Sequence, residues 1–258
     1  RKMNFYCSSL IQGPLSLPYD NIILASVQKS GSQWIKKFFK DALIQKKTRM
    51  GIFPQHDYEY ADVPKRFPKS VIPGMYCSKS YFDNVLLDKL GRHKIIYTLR
   101  DPRNIVCSWY NSTLHTHGFT PIINNQREIL KSKTFEDGIH YSIDYLADKF
   151  SAMRSWTTNR DGDAYFNKIE DYNKDPNKWI GNMFEYLHID LTEQEICYLV
   201  DTYSRDKVRN RDIQNRGSAD KSHYRRVSSN HRMEFTQNHY NHFNQATGNL
   251  LELLGYDT

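Results

Sequence analysis

Long apolar runs and paired cysteines are both missing from this chain of 258 residues. No mainly apolar stretch approaches the roughly 20 residues that a membrane-spanning helix needs, so we expect no membrane segment and no membrane partner. The four cysteines, Cys7, Cys77, Cys107 and Cys197, are scattered and lack the paired spacing of a metal site. We therefore expect free thiols, no metal and, because no secretory leader is visible, a cytoplasmic protein.

The chain also lacks internal repeats, low-complexity tracts and any segment typical of a linker. Its length suits one α/β domain of ordinary size, so we expect a single domain over residues 1–258. A formal net charge of +7 implies attraction to anions, which could be nucleic acid, an acidic polymer or a polyanionic small molecule. Two regions concentrate the basic residues. We expect residues 36–49 on the solvated face of the first helix, and residues 205–232 as a polar, flexible loop over a ligand.

The stretch from Asn21 to Phe39, NIILASVQKSGSQWIKKFF, combines an apolar strand, a tight turn around Gly31 and an amphipathic helix. Backbone N–H groups in a helix's first turn have no intrahelical partner and carry the positive end of its dipole. The turn therefore predicts a phosphate or sulfate site, to which Lys29 adds a full charge. The Gly-Lys-[Ser/Thr] ending of the nucleotide triphosphate loop is absent, which argues against an ATPase or GTPase. The simpler alternative is a helix start capped by Ser30 or Ser32.

A second strand, residues 94–99 (KIIYTL), leads into the segment RDPR and then into another helical pattern. The proline of this segment suits the first turn of a helix. Eight residues separate Arg100 from Ser108, so a forked guanidinium and a hydroxyl could bind one dianion together. Alternatively, Arg100 could form a structural ion pair with Asp101 or Glu170. Two anion sites that each follow a strand fit the rule that ligands bind beyond the carboxyl ends of an open α/β sheet.

Both motifs resemble those of the PAPS-dependent sulfotransferases of the cytosolic type, where PAPS is 3′-phosphoadenosine 5′-phosphosulfate. The segment QKSGSQW is similar to the Lys-Ser-Gly-Thr-Thr-Trp segment that embraces the 5′-phosphosulfate in this family. The segment RDPRNIVCS is similar to the Arg-Asp-Pro-Arg-Asp-x-x-x-Ser segment that binds the 3′-phosphate. Residues 164–190 extend the resemblance through a strand, a Glu-Asp pair and an Asp-Pro helix start. The resemblance implies a three-layer α/β sandwich with a central parallel sheet, the P-loop-like sulfotransferase fold.

The same resemblance implies an enzyme that moves a sulfuryl group from PAPS to a hydroxyl or amino group of a small-molecule acceptor. The product would be adenosine 3′,5′-bisphosphate (PAP), and no metal is needed. Residues 223–229 (HYRRVSS) resemble the family's Arg-Lys-Gly-x-x-Gly loop over the 3′-phosphate, although both glycines are missing. The donor-binding positions implied are Lys29, Ser30, Gly31, Ser32, Gln33 and Trp34 on the 5′ side, Arg100, Ser108, Arg225 and Arg226 on the 3′ side, and Ile169, where the family has a tyrosine packed on adenine.

The acceptor side of the resemblance is incomplete. In the family one strand ends Lys-Thr-His, with the lysine near the transferring group and the histidine as general base; Lys79 matches the lysine, but Tyr81 stands at the histidine position. A tyrosine with a pKa near 10 is a poor base at neutral pH. We expect Lys29 and Lys79 to stabilise charge, Tyr81 to shape the pocket, and His56 or His115 to take the proton. Further candidates for the base are His117, Asp57 and Glu59.

Two other classes of protein compete with this interpretation. A catalytically impaired anion- or nucleic-acid-binding protein on the same fold would explain Tyr81, the missing loop glycines and the basic charge. A nucleotide kinase would also place a phosphate loop after its first strand, but the chain has no Gly-Lys-[Ser/Thr] sequence and no evident magnesium carboxylate. We expect a small-molecule acceptor and no nucleic acid partner, and the sequence carries no signal for the oligomeric state.

Overall fold

The computed structural model describes residues 17–54, 63–158, 164–218, 222, 224 and 230–257. Its centre is a parallel sheet of five strands in the order β2-β3-β1-β4-β5, which confirms the sheet that the sequence predicts. The strands are β1 (Asn21–Ser26), β2 (Gly51–Ile52), β3 (Ser70–Met75), β4 (His93–Leu99) and β5 (Ala164–Lys168). Because the chain moves from one side of β1 to the other before β4, the strand order reverses between β1 and β4. Ligand crevices form at such a point.

Helices cover both faces of the sheet. They connect most of its strands and continue after β5. They are α1 (Ser32–Phe39), α2 (Ala42–Thr48), α3 (Lys79–Tyr81), α4 (Pro102–His115), α5 (Pro121–Lys131), α6 (Phe135–Thr158), α7 (Ile169–Tyr172), α8 (Pro176–Tyr186), α9 (Glu193–Thr202), α10 (Arg205–Arg216), α11 (His231–Glu234), α12 (Gln237–Thr247) and α13 (Leu250–Leu254). In the described part of the chain, no helix is long and apolar enough to cross a membrane.

Two hydrophobic cores lie on opposite faces of the sheet and make the fold three-layered. Ile22 and Leu24 of β1 pack in the core that contains α1 and α8. Ile23 and Ala25, the alternate residues of the same strand, pack in the core that contains α4, α6 and α12. Side chains of a strand alternate between faces, so a strand buried on both faces is apolar throughout. This double burial explains the continuous apolar run from Ile22 to Ala25.

Two helix starts follow the Asp-Pro signals in the sequence. The carboxylate of Asp101 accepts from the Arg103 N–H at the start of α4, and the carboxylate of Asp175 accepts from the Lys178 N–H at the start of α8. In each case the proline fills the first helical position, where a missing N–H costs nothing. These caps fix where α4 and α8 begin, and α4 begins directly beside the end of β4.

The expectation of a flexible loop over residues 205–232 is wrong for its first part, because α10 covers Arg205–Arg216. Val208 is the buried anchor of this otherwise polar helix. Gly217 closes it in a left-handed conformation with φ of 75°, which glycine adopts without strain. The polar composition hid this helix, whose only sequence signals are two apolar residues, Val208 and Ile213, and a terminal glycine.

Candidate functional site

A large cleft, open to solvent, lies at the carboxyl ends of β1 and β4. Both sequence motifs reach it, since Lys29, Gly31, Arg100 and Ser108 all line it. The two motifs are adjacent because β1 and β4 pair directly, with Ser26 opposite Thr98 at their ends. The structure therefore brings together the two anion sites that the sequence predicts separately.

The loop between β1 and α1 has an unusual backbone. Lys29 has a φ of 69° and Gly31 a φ of 90°, both left-handed. A side chain at Gly31 would crowd the Ile169 side chain, and the positive φ would strain any residue other than glycine. Gly31, and not Ser30 or Ser32, occupies the N-cap position, and no side chain caps the helix. The capping role considered for the two serines is therefore not what the structure shows.

The serines of this loop have other partners. The Ser32 hydroxyl lies 2.7 Å from the Tyr76 hydroxyl, and the Gln33 amide donates to the same tyrosine over 3.4 Å. Ser30 is fully buried, and its hydroxyl has no hydrogen-bond partner. A buried hydroxyl without a partner is costly, but Ser30 is not among the residues that line the cleft, so the structure does not bring this expected site residue to the ligand side of the loop. Tyr76, which does line the cleft, was not among the expected site residues.

Arg100 holds the backbone of Lys29. Its Nη1 donates to the Lys29 carbonyl over 2.9 Å, and neither Asp101 nor Glu170 forms an ion pair with it. Burial, followed by the charge of Arg100, lowers the pKa of Lys29 to about 8. Two neighbouring cations depress each other's charged forms unless an anion joins them. The structural ion pair considered for Arg100 is thus replaced by a contact that links the two motifs.

The nearby carboxylates are already engaged. Asp101 accepts two bonds from the Arg103 guanidinium, at 3.1 and 2.8 Å, and lies 3.4 Å from the His231 Nε2. Burial raises the pKa of Asp101, but bonds from His231 and Arg103 outweigh burial and bring it to about 2. Glu170 accepts from the Asp101 N–H and from the Tyr256 hydroxyl. These acids build the cleft wall. The charge of Glu170 partly offsets the effect of burial, which lowers the pKa of Arg100.

Two further arginines come from α10. Arg205 and Arg209 are four residues apart, on one side of the helix, and both line the cleft. Burial lowers the pKa of Arg100, and the charge of Arg205 adds to this effect, so Arg205 lies near Arg100. The Arg209 Nε is buried without a partner. The arginine spacing in the sequence could have revealed these residues, whereas Arg225 and Arg226 lie outside the described part of the chain.

Aromatic rings form the wall beside the β1–α1 loop. Trp34 meets Tyr172 edge to face with ring centroids 4.6 Å apart, and its indole N–H donates to the Tyr203 carbonyl over 2.8 Å. Trp34 is 8% exposed, so it both packs in the core and presents an edge to the cleft. Ile169 lines the cleft next to Gly31. Tyr172, three residues after Ile169, also lines it and was missed by the sequence reasoning.

The structure does not bring Lys79 or Tyr81 to the cleft. The Lys79 ammonium lies 2.6 and 2.8 Å from the two carboxylate oxygens of Asp83, and its backbone N–H donates to the Ser155 hydroxyl. Tyr81 packs beside the α4 and α6 core. The reason is local: the chain turns into α3 at Lys79, and the residue that reaches the cleft after β3 is Tyr76.

The structure shows where two of the three candidate histidines lie. His115 and His117 line the cleft; His115 is exposed, and His117 is half-buried. His56 lies outside the described residues. Burial and the charge of Lys29 lower the pKa of His117, so its ring lies within electrostatic reach of the loop lysine. Both His115 and His117 thus lie at the cleft, and His117 is the more buried of the two.

One group in the described part of the chain has metal-ligating side chains close together, namely Glu136, His140 and His239. Both ring nitrogens of His239 already have backbone partners, however. Its Nδ1 accepts from the Thr236 N–H over 3.0 Å, and its Nε2 lies 3.0 Å from the Glu136 carbonyl. A histidine with both nitrogens bonded to the backbone positions two helices against each other and has no nitrogen left for a metal.

A parallel α/β sheet with a cationic cleft at the point where its strand order reverses defines a protein with a phosphate- or sulfate-type anion site. The sequence model of the sulfotransferase domain matches residues 19–255. The chain belongs to the sulfotransferase domain family. No curated protein matches it significantly.

Solved sulfotransferase structures share this fold. Mouse sulfotransferase SULT7A1, complexed with PAP, is 19% identical, with a TM-score of 0.61 over 90% of this chain and 84% of that one. Retinol dehydratase with androsterone and inactive cofactor PAP is 17% identical, with a TM-score of 0.58 over 93% and 82% of the two chains. Retinol dehydratase with retinol and PAP is 18% identical, with a TM-score of 0.57 over 93% and 83%.

Proposed function

We propose that this protein transfers a sulfuryl group from PAPS to a hydroxyl or amino group of a small-molecule acceptor and releases PAP. The observation that carries the proposal is the pairing of Lys29 with Arg100 at the ends of two adjacent strands, where no carboxylate of the described residues forms an ion pair with either cation. Membership of the sulfotransferase domain family supports the reaction class. The PAP complexes of similar folds support the donor.

The residues around the cleft suit the two ends of such a donor. On the 5′ side, the first turn of α1, which receives no side-chain cap from Gly31, and the Lys29 ammonium offer donors to a phosphosulfate. On the 3′ side, Arg100 and Ser108 are joined by Arg205 and Arg209, which together suit a phosphate dianion. The adenine ring of the donor would lie beside the aromatic and apolar wall of Trp34, Ile169 and Tyr172.

The proposed chemistry depends on position and charge. The transferring sulfuryl group would be held in line between acceptor and leaving oxygen, as in phosphoryl transfer, so the protein mainly aligns groups and neutralises charge. Lys29 is the residue that we assign to the developing charge on the leaving oxygen. We leave Lys79 out of this role, because its ammonium would first have to leave Asp83.

A thermal shift experiment with PAP, ATP and a single-stranded oligonucleotide tests the donor assignment. A ligand that binds only the native state raises the melting temperature, so PAP should raise it more than ATP or the oligonucleotide at equal concentration. A larger effect of ATP would favour a nucleotide kinase, and an effect of the oligonucleotide alone would favour a nucleic-acid-binding protein.

Labelled PAPS then separates an enzyme from a binding protein. Transfer of label to any member of a panel of phenols, alcohols and amines supports catalysis. PAP binding without transfer or PAPS cleavage would make this chain an impaired donor-binding member of the family. We further propose a single domain over residues 1–258 and a cytoplasmic location. The free state of Cys77, Cys107 and Cys197 supports that location.

A further inference from the structure

Segment 116–120 joins α4 to α5, and all of its residues line the cleft. At its start, the His117 backbone N–H donates to the Ser112 carbonyl over 2.7 Å. At its end, the Thr120 hydroxyl caps α5 by accepting from the Ile123 N–H over 3.2 Å. A short connection that is bonded at both ends keeps one course along the edge of the cleft.

Arg127, a buried residue of α5, braces this segment. Its Nε donates to the Thr113 carbonyl in the last turn of α4, and its Nη2 donates to the His117 carbonyl, each over 2.7 Å. Its Nη1 donates to the Asn124 side-chain oxygen over 3.2 Å. Carbonyls in the last turn of a helix have no intrahelical partner and carry the negative end of the dipole, so they suit a buried guanidinium. Arg127 therefore ties segment 116–120 to α4 without lining the cleft itself.

The same guanidinium supports an exposed aromatic ring. The Arg127 Cζ lies 5.0 Å from the centroid of the Phe119 ring, which makes a cation–π contact. Phe119 lines the cleft but is 84% exposed, and Ile122, which also lines it, is 64% exposed. A ring that the protein holds in place without covering it is stabilised when a ligand covers it.

The cleft follows α4 from the donor residues to this segment. Ser108, Ser112 and His115 recur at helical spacing along α4, and all three line the cleft. The helix begins shortly after Arg100, which we assign to the 3′-phosphate of the donor. Segment 116–120 follows the opposite end of the helix, so it lies in the part of the cleft that the donor residues leave to the acceptor.

We infer that Phe119 contacts the acceptor and favours acceptors that carry an apolar ring, and that Arg127 is the positioning residue that presents Phe119. The inference rests on the proposed function, because it assigns the acceptor side of the same cleft. Contacts between rings stabilise beyond the area that they bury. Phe119 binds the body of the acceptor and not its reacting group, so it affects the ground state and the transition state equally. Its loss therefore raises KM and leaves kcat unchanged.

Matched acceptors with and without a ring test the role of Phe119, with labelled PAPS as donor. 2-Phenylethanol and 2-phenylethylamine carry a ring, whereas 1-hexanol and hexylamine present the same reacting groups on an open chain. Phe119→Leu keeps an apolar side chain but loses the ring, so KM for the ring-bearing acceptors should rise roughly 2- to 10-fold. KM for the hexyl acceptors should change less. Phe135→Leu removes an exposed ring that does not line the cleft, and this matched control should behave like the parent.

Arg127→Met tests the positioning role, and Arg127→Lys, which keeps the charge but loses the fork, is the milder variant should the first fail to fold. Either should raise KM for the ring-bearing acceptors. Combining the substitution with Phe119→Leu should raise KM no further than the stronger single variant, because Arg127 acts through Phe119. Lys131→Met, which breaks an exposed pair with Glu128 on the same helix, is the matched control. Hydrogen exchange at the His117 N–H should quicken in the Arg127 variants and not in Phe119→Leu.

Calorimetry with PAP separates this inference from the proposed function. Each variant should bind PAP as the parent does, since Phe119 and Arg127 lie away from the donor residues. Failure of the parent to bind PAP contradicts the proposed function itself. With PAP bound normally, the inference alone is overturned by a parent that transfers to neither ring-bearing acceptor. Equal changes in KM for ring-bearing and hexyl acceptors in Phe119→Leu, or effects that multiply in the double variant, would overturn it as well.

Discussion

At the scale of single residues, the sequence predicts that Lys29, Arg100 and Lys79 meet at one site, and the structure brings Lys29 and Arg100, but not Lys79, to the cleft. Lys29 and Arg100 follow buried strands directly, so a short motif fixes where they lie. Lys79 also follows a strand in the sequence, but the chain bends into α3, and Asp83, four residues on, takes its ammonium. A linear motif does not report such a turn. The sequence left His56, His115 and His117 open as candidate bases, and the structure places His115 and His117 at the cleft.

Lys29 should couple PAP binding to protonation. The pKa of Lys29 in the free protein is about 8, below its ordinary value, so at pH 9 most molecules carry a neutral Lys29. A bound phosphate favours the charged form and raises this pKa, so binding at pH 9 takes up a proton. PAP affinity should accordingly fall as pH rises above 8.

Calorimetry at pH 9 in two buffers of different ionisation enthalpy measures this uptake. The parent should take up a proton on binding PAP, and Lys29→Met should not. Lys40→Ala removes an exposed cleft lysine and should leave the uptake intact. Equal proton uptake by the parent and by Lys29→Met would assign the effect to another group.

Arg100 and Ser108 should differ in how they affect two ligands. Loss of a hydrogen bond to a charged group costs about 1.5–3 kcal/mol, so Ser108→Ala should weaken PAP while leaving adenosine 5′-phosphate unchanged. Arg100→Ala should weaken both ligands, because the Lys29 carbonyl loses its donor as well. The sequence alone predicts selective loss for Arg100; the contact with Lys29 revises that expectation. Calorimetry with both ligands decides, and unchanged binding of adenosine 5′-phosphate to Arg100→Ala would count against the coupling.

At the scale of elements, the starts of two helices could be predicted from the sequence, whereas the whole of α10 could not. The Asp-Pro signals place α4 and α8 correctly because the cap is a local interaction between neighbouring residues. The α10 helix depends on burial of Val208 against distant parts of the chain, and tertiary packing of this kind leaves little trace in a local pattern. Arg205 and Arg209 were missed for that reason.

The start of α4 should depend on Asp101. Removing one partner of a buried ion pair typically costs 3–5 kcal/mol, so Asp101→Asn should lower the free energy of unfolding by about that amount. Asp171→Asn is the control, since its pair with Lys174 is exposed and surface pairs contribute about 0–1 kcal/mol.

The pH dependence of unfolding gives the same test a second readout. The pKa of Asp101 in the folded protein is about 2, below the value of about 4 in an unfolded chain. Its contribution is therefore present above pH 4 and lost as pH falls towards 2. Urea titrations across this range should show that loss in the parent and a smaller one in Asp101→Asn. A variant that tracks the parent at every pH would refute the assignment.

At the scale of the whole molecule, the order of the strands turns two separate motifs into one site. Their pairing depends on contacts between residues far apart in the chain, and the two-residue β2 and the β3 strand with Pro73 and Gly74 are weak sequence signals. The parallel sheet could be predicted by family resemblance; the order of strands came from the structure. Part of the net charge of +7 lies at this site, because Lys36, Lys37 and Lys40 line the same cleft. Positive charge there attracts a polyanionic donor.

The left-handed backbone of Lys29 implies that this residue supports turnover at the expense of thermal stability. For a residue with a side chain, such a φ costs about 1–2 kcal/mol. Burial of the ammonium, followed by the charge of Arg100, adds to this cost at pH 7 because both disfavour the charged form of Lys29. Lys29→Gly should remove both penalties and raise the melting temperature, while Lys29→Ala should relieve only the charge. Each variant should lose turnover. A selection for thermal tolerance without a selection for activity would therefore discard this lysine, and a melting temperature of Lys29→Gly below that of the parent would contradict the argument.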